Sequence, residues 1–288
     1  RDYHVDDRGG RLGAEHRPVR LMLPSAATRI VHISDVHVGD ADQATLKQAS
    51  QAITELNPQL VVLSGDVTQS GRRREFAEAA LFLATMPAPI VAAPGNHDAP
   101  VFDPFARIAR PYRRFRALPV VDRWHGVDKV VGVAAISTAR AIQARLDWSQ
   151  GVYRLTALRA ALTSVEPCAW RIVVAHHPPV THEGAWVRSD ARRGREALEI
   201  LSHHERTLLL CGHAHGFKMV GLGPASSAFF VAPSLASGRP RDGGHGFVVY
   251  DFTPERVEIS LRLKFGDDFV EKQRLELTAP QQAHASPA

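Results

Sequence analysis

The chain has 288 residues, 44% of them apolar and 23% charged, a balance that excludes a disordered or fibrous polymer and allows a sizeable buried core. Thirty-five Lys+Arg against thirty Asp+Glu leave a net charge of +5, too small an excess for the basic stripe of a dedicated nucleic-acid binder. Most of the cations are arginines, whose planar fork suits phosphate, so a small anionic substrate is the expected partner and a single α/β domain the expected architecture.

Residues 1–28 mix charge, Gly and Pro (Asp6-Asp7-Arg8-Gly9-Gly10, Pro18, Pro24) without apolar periodicity and read as an irregular N-terminal arm. The domain is expected over residues 29–277, with a disordered tail over 278–288. Cys168 and Cys211 form no paired motif, which points to a reducing compartment and a cytoplasmic location. No apolar run reaches the roughly 18–20 residues a membrane helix needs, so no transmembrane segment is expected. The first residues are too polar for a signal peptide, although a chain without an initial Met leaves a removed leader open.

Short apolar runs at 30–33, 60–63, 90–93, 130–136, 172–175 and 208–211 read as buried strands. Helical spacing over 44–56 (Leu46, Ala49, Ile53, Leu56) stops at Asn57-Pro58, and a second helix over 75–86 stops before Pro87. From Gly216 onward strands follow without helices, at 218–222, 228–231, 247–252 and 257–263, and suggest antiparallel pairing. A mixed β-sandwich with helices on both outer faces accommodates both halves, giving a four-layer αββα fold.

Polar clusters stand directly behind five of these strands: Ser34-Asp35-Val36-His37, Ser64-Gly65-Asp66, Pro94-Gly95-Asn96-His97-Asp98, His176-His177 and Gly212-His213-Ala214-His215. The crevice beyond the carboxyl ends of strands is where α/β sheets bind ligands, so the clusters are expected to converge. Their donors are carboxylate, amide and imidazole, a set suited to Mn, Fe or Zn and able to hold two ions if one carboxylate bridges. Asp66 is the natural bridge.

In order and spacing the five blocks resemble the calcineurin-like metallophosphoesterase family, whose pattern is D-x-H, G-D, G-N-H-[DE], H and G-H-x-H. The resemblance covers residues 29 to about 251. It implies one metal on Asp35, His37, Asp66 and His215 and a second on Asp66, Asn96, His176 and His213. It makes His97 an acid or transition-state donor outside the ligand set, with Asp98 orienting it. The implied reaction is phosphoester hydrolysis by in-line attack of a metal-bridging hydroxide, two ions about 4 Å apart activating the water and neutralising phosphoryl charge. The stretch Gly65-Asp66-Val67-Thr68-Gln69-Ser70-Gly71 is most similar to the bacterial class III cyclic-nucleotide phosphodiesterase branch, which favours a small nucleotide-like phosphodiester.

Other features carry weaker expectations. Residues 101–118 place Phe102, Phe105, Ile108, Tyr112 and Phe115 at helical spacing among Arg107, Arg110, Arg113, Arg114 and Arg116. The plain expectation is an amphipathic helix docked on the core. The alternative is a cap over a lipid-linked substrate, which would make the enzyme a pyrophosphatase or diesterase on a lipid-linked or nucleotide-sugar diphosphate. Arg72-Arg73-Arg74 and Arg192-Arg193-Gly194-Arg195 read as solvated charge that could also meet substrate phosphate. His177 is expected to orient its loop, His182 and His245 to be ordinary loop histidines, and Cys211 to be a buried thiol. A homodimer is compatible with all of this. A metal-free binding scaffold is the rival of a different kind, and the seven filled ligand positions speak against it.

Overall fold

In the computed structural model the described residues are 27–142, 149–181, 190–223, 226–239 and 244–279. The expected N-terminal arm and tail lie almost wholly outside them, as does His182. Strands β1 (Thr28–Ile33), β2 (Leu60–Leu63) and β3 (Ile90–Ala92) alternate with helices α1 (Gln43–Leu56) and α2 (Arg73–Leu83). Helix α3 (Pro104–Ala109) precedes β4 (Arg123–His125) and β5 (Val131–Ala135). Next come α4 (Leu155–Val165), β6 (Trp170–Val174), α5 (Gly194–Ser202) and β7 (Thr207–Cys211). The chain then runs through β8 (Lys218–Gly221), β9 (Ala228–Val231), β10 (Gly246–Phe252), β11 (Arg256–Phe265) and β12 (Asp268–Thr278).

Two six-stranded mixed sheets form, in the orders β12-β11-β10-β1-β2-β3 and β4-β5-β6-β7-β9-β8. Strand periodicity sorts the side chains into layers. On β1 and β2, Ile30, Leu60 and Val62 face inward with Ile172, Val174, Leu208 and Leu210 of the other sheet. Their neighbours Val31, Val61 and Leu63 face outward onto Leu46, Ala49 and Ile53 of α1 and Phe76 and Ala79 of α2. On the opposite flank Leu158 and Leu162 of α4 and Ala197 and Leu201 of α5 cover Val173, Leu209 and Phe229. The architecture is the four-layer αββα sandwich expected from the sequence.

Local signals fix the helix ends. Asp42 caps α1 by accepting from Ala44 N and Thr45 N, and Asn57 ends it in the left-handed region just before Pro58. The Glu75 carboxylate accepts from Ser70 N and Arg72 N at the start of α2, which closes at Leu83, three residues short of the expected end.

Two expectations need correction. Residues 101–118 do not form one docked helix: α3 is six residues long, and a separate 3-10 turn spans Phe115–Ala117. Pro111 lacks an N–H and pushes Arg110 into an extended φ of −150°, which breaks the helix. Phe115 and Leu118 are buried, whereas Phe102, Phe105 and Ile108 stand in solvent. In the second half β9 pairs antiparallel with β8 but parallel with β7, so the pairing there is mixed. The exposed edge strands β4 and β12 carry little apolar alternation and gave no clear signal.

Candidate metal centre

The clusters sit where β1, β2, β3, β6 and β7 end. Asp35, His37, Asp66, His213 and His215 all have positive φ, between 50° and 70°, a region that costs non-glycine residues energy. The surrounding bonds hold them there: Asp35 N donates to Gly65 O at 3.1 Å and His37 N to Asp66 O at 3.0 Å. Two glycines permit the close approach. A Cβ on Gly95 would run into the Asp66 carboxylate, and one on Gly212 into Ser34 and Asp35.

The donor atoms converge. One atom each from Asp35, His37 and His215 lie within 4.8 Å of one another, and so do those of Asp35, Asp66 and His176. Asp66 Oδ2 is 3.2 Å from His176 Nε2 and 3.8 Å from His37 Nε2, between the two groups. Asn96 Oδ1 is 3.1 Å from His176 Nε2, and His213 joins His176 and His177 in a further group. All seven side chains expected as ligands are therefore brought into one crevice, together with His97, which groups with His37 and Asp66.

The donor chemistry fits metal ions. Asp35 Oδ1 is buried without a hydrogen-bond partner. His37 Nε2 and His215 Nε2 stand 3.3 Å apart, and with both Nδ1 atoms donating elsewhere two lone pairs face each other unless a cation or a proton comes between them. The other ring nitrogens are committed as donors: His37 Nδ1 to Gln69 Oε1 at 2.8 Å, His176 Nδ1 to Ser64 O at 2.7 Å, and His215 Nδ1 to Arg239 O at 3.2 Å. This arrangement fixes the tautomer that turns Nε2 toward an ion.

The electrostatics agree. Burial alone would raise the Asp35 and Asp66 carboxyls, but the facing histidines outweigh it and hold both low and ionised. Burial would likewise lower His176, yet Asp66 lifts it to about 9. His213 is pushed down to about 4 by burial and by His176, which keeps its imidazole neutral. Two buried carboxylates side by side thus demand positive charge.

His97 and Asp98 behave differently from each other. His97 Nδ1–H donates to Gln69 O at 2.7 Å, leaving Nε2 as its free nitrogen. Asp98 does not hold that ring: its carboxylate accepts from Thr68 N, Thr68 Oγ1 and Gly95 N and shapes the loop instead. Burial and the Asp66 charge push Asp98 up to about 7.

Gln69 and Thr138 drew no role from sequence, because each acts through a partner distant in the chain, and Ser34 drew none although its partner is the next residue. Ser34 Oγ donates to Asp35 Oδ2 at 2.5 Å. Thr138 Oγ1 meets His177 Nδ1 at 2.9 Å while His177 Nε2 donates to Ser149 O at 2.7 Å, so both nitrogens of His177 are used in holding its loop. His245 donates to Ser237 O at 2.9 Å, and Cys211 is a buried free thiol. Arg72 stacks over the Phe102 ring, Arg74 pairs with Glu78, and Arg193 pairs with Glu196.

Residues 28–217 match the family model described as calcineurin-like phosphoesterase. Over 233 residues the chain is 28% identical to a Synechococcus protein named as a probable cyclic nucleotide phosphodiesterase, covering 73% of this chain and 84% of that one. A dimetal phosphatase from Danio rerio shares the fold with a TM-score of 0.64 at 14% identity, covering 88% of this chain and 99% of its own. The purple acid phosphatase of yellow lupin seeds follows with 0.61 at 15% identity, over 88% of this chain and 54% of its own.

Proposed function

The chain belongs to the calcineurin-like phosphoesterase family and is a metal-dependent phosphoric ester hydrolase, and from that premise we propose that it holds two ions and cleaves a small nucleotide-like phosphodiester. The observation that carries this reading is the position of Asp66, whose Oδ2 lies within 4 Å of histidines from both groups, His176 at 3.2 Å and His37 at 3.8 Å. Asp35, His37, Asp66 and His215 would hold one ion, and Asp66, Asn96, His176 and His213 the other, with Mn, Fe or Zn acceptable to these donors. Bound there, such ions supply Lewis acidity toward the phosphoryl group and toward water.

The chain's own groups do the rest. Gln69, Ser64 and the Arg239 carbonyl hold the imidazoles in one tautomer. Asp35 and Asp66 stay ionised and keep the crevice attractive to cations. His97, held through Nδ1 by the Gln69 carbonyl, would deliver a proton from Nε2 to the departing oxygen when the ring is in its doubly protonated imidazolium form, ending as the neutral Nδ1–H tautomer. No side chain needs to form a covalent intermediate.

A diester substrate is supported by the named Synechococcus relative, which matches the chain over 84% of its own length. The test is hydrolysis of an activated aryl phosphodiester and its monoester by Mn-loaded protein, followed by a panel of cyclic nucleotides. Faster cleavage of the diester, with turnover of at least one cyclic nucleotide, supports the reading. Preference for the monoester with no cyclic-nucleotide turnover overturns it.

A further inference from the structure

The loop that carries Asn96 and His97 runs directly into an exposed apolar ridge. Phe102 is 67% exposed, Phe105 85% and Ile108 68%, on α3 and the turn before it. Arg107 Nε donates to Ala141 O at 2.7 Å, and the residue after it, Ile142, is itself 47% exposed. Large side chains this bare are rarely grouped without a partner to cover them.

Arginine surrounds the ridge. A cavity of about 660 Å³ beside Phe105 is lined by Arg73, Arg110, Arg113 and Arg114. The next, about 360 Å³, holds Arg116, Ile142, Arg140 and Arg154. It shares Arg140 and Arg154 with a third of about 520 Å³, which adds Arg159, Arg192 and Arg193. The stretch Ala109–Ala117 lines the first two and joins them, so the three make one belt. Among the described residues lining the belt Asp103 is the sole carboxylate, and it is already paired with Arg114 at 3.1 Å.

We propose that this face docks on an anionic phospholipid bilayer, the phenylalanines and isoleucines entering the acyl boundary while the arginines bind phosphate head groups. The charge complementarity selects an anionic partner, and the bare aliphatic and aromatic tips select one with an apolar interior. A soluble polyanion would use the arginines and leave the ridge uncovered. Single-stranded nucleic acid would need successive stacking faces, and although Phe105 offers one, Ile108 and Ile142 offer none and Arg72 covers one face of Phe102 at 4.3 Å. No helix among the described residues is long and apolar enough to cross a membrane. Docking brings the His97 side of the crevice up to the lipid surface.

The test is flotation of the full chain with vesicles of phosphatidylcholine alone and of phosphatidylcholine carrying phosphatidylglycerol. The wild type is expected to float with the anionic vesicles and to lose them at high salt. The pair Phe105→Ser and Ile108→Ser, and separately Arg113→Glu with Arg116→Glu, should each weaken partition at least about tenfold. Both pairs lie on the surface, and unchanged melting curves would verify that each variant is folded. Absence of flotation, equal flotation with neutral vesicles, or full binding by both variants would overturn the proposal. So would capture of a labelled single-stranded oligonucleotide in place of vesicles, or a dimer that the Phe105 pair dissociates. None of these readouts depends on hydrolysis, so the proposal and the phosphodiesterase reading fail separately.

Discussion

His97 and Gln69 are joined by a 2.7 Å hydrogen bond from the imidazole Nδ1–H to the backbone carbonyl. The side chain of the same glutamine accepts from His37 Nδ1 at 2.8 Å. One residue therefore sets the orientation of the proposed proton donor and of a proposed metal ligand, whose rings meet edge-on with centroids 4.8 Å apart.

Gln69→Leu removes the acceptor for His37 but keeps the carbonyl that holds His97. The expected result is a loss of about 10–100-fold in Mn affinity, the usual cost of losing such a support. Saturating Mn should recover most of the turnover. A loss of turnover that added metal leaves untouched would assign Gln69 to substrate instead.

Gly95→Ala places a methyl against the Asp66 carboxylate. Activity should fall at least tenfold and the folded state lose about 1–3 kcal/mol, read from the denaturant midpoint. Wild-type activity and stability would mean that Asp66 can move aside, which the proposed bridge does not allow.

His177 and His176 are neighbours with opposite predicted fates. His177 spends both ring nitrogens on Thr138 and Ser149, so His177→Leu removes two side-chain hydrogen bonds, costs about 0.5–1.5 kcal/mol each and keeps the metal content. His176→Ala should lose metal. Equal metal loss in the two variants would make His177 a ligand.

His32 is fully buried in the sandwich, its Nε2 paired with Ser64 Oγ at 2.8 Å and its Nδ1 unpartnered. Burial lowers it from 6.5 to about 3, against a smaller opposing effect of Asp35. The unfolded chain then binds a proton that the folded chain does not, so its stabilising contribution is complete above pH 6.5 and is lost as pH falls toward 3. The loss approaches about 1.4 kcal/mol per pH unit. His32→Gln should flatten that acid limb in denaturant titrations at several pH values; an unchanged slope would place the proton elsewhere.

Much of this was legible from residue order. Strands such as β2 and β7 are buried on both faces and read as continuous apolar runs, and the polar blocks behind them announce the crevice. The supports of the crevice were not legible, because Gln69 and His37 lie 32 residues apart and meet only through the parallel pairing of β1 and β2. The 101–118 segment misled for a local reason: its apolar spacing is helical, but Pro111 divides it and sends Phe105 and Phe115 to opposite environments. The β12 edge has little apolar alternation, with four polar residues in a row from Glu271 to Arg274, and only its pairing with β11 marks it as a strand.

The most direct measurement is metal content and diester hydrolysis on one Mn-loaded preparation of the wild type and of Asp66→Ala. A bridging Asp66 predicts two ions per chain and turnover in the wild type, with one ion or fewer and no turnover in the variant. A wild type that binds no Mn, Fe or Zn, or a variant that keeps two ions and full turnover, would contradict the account.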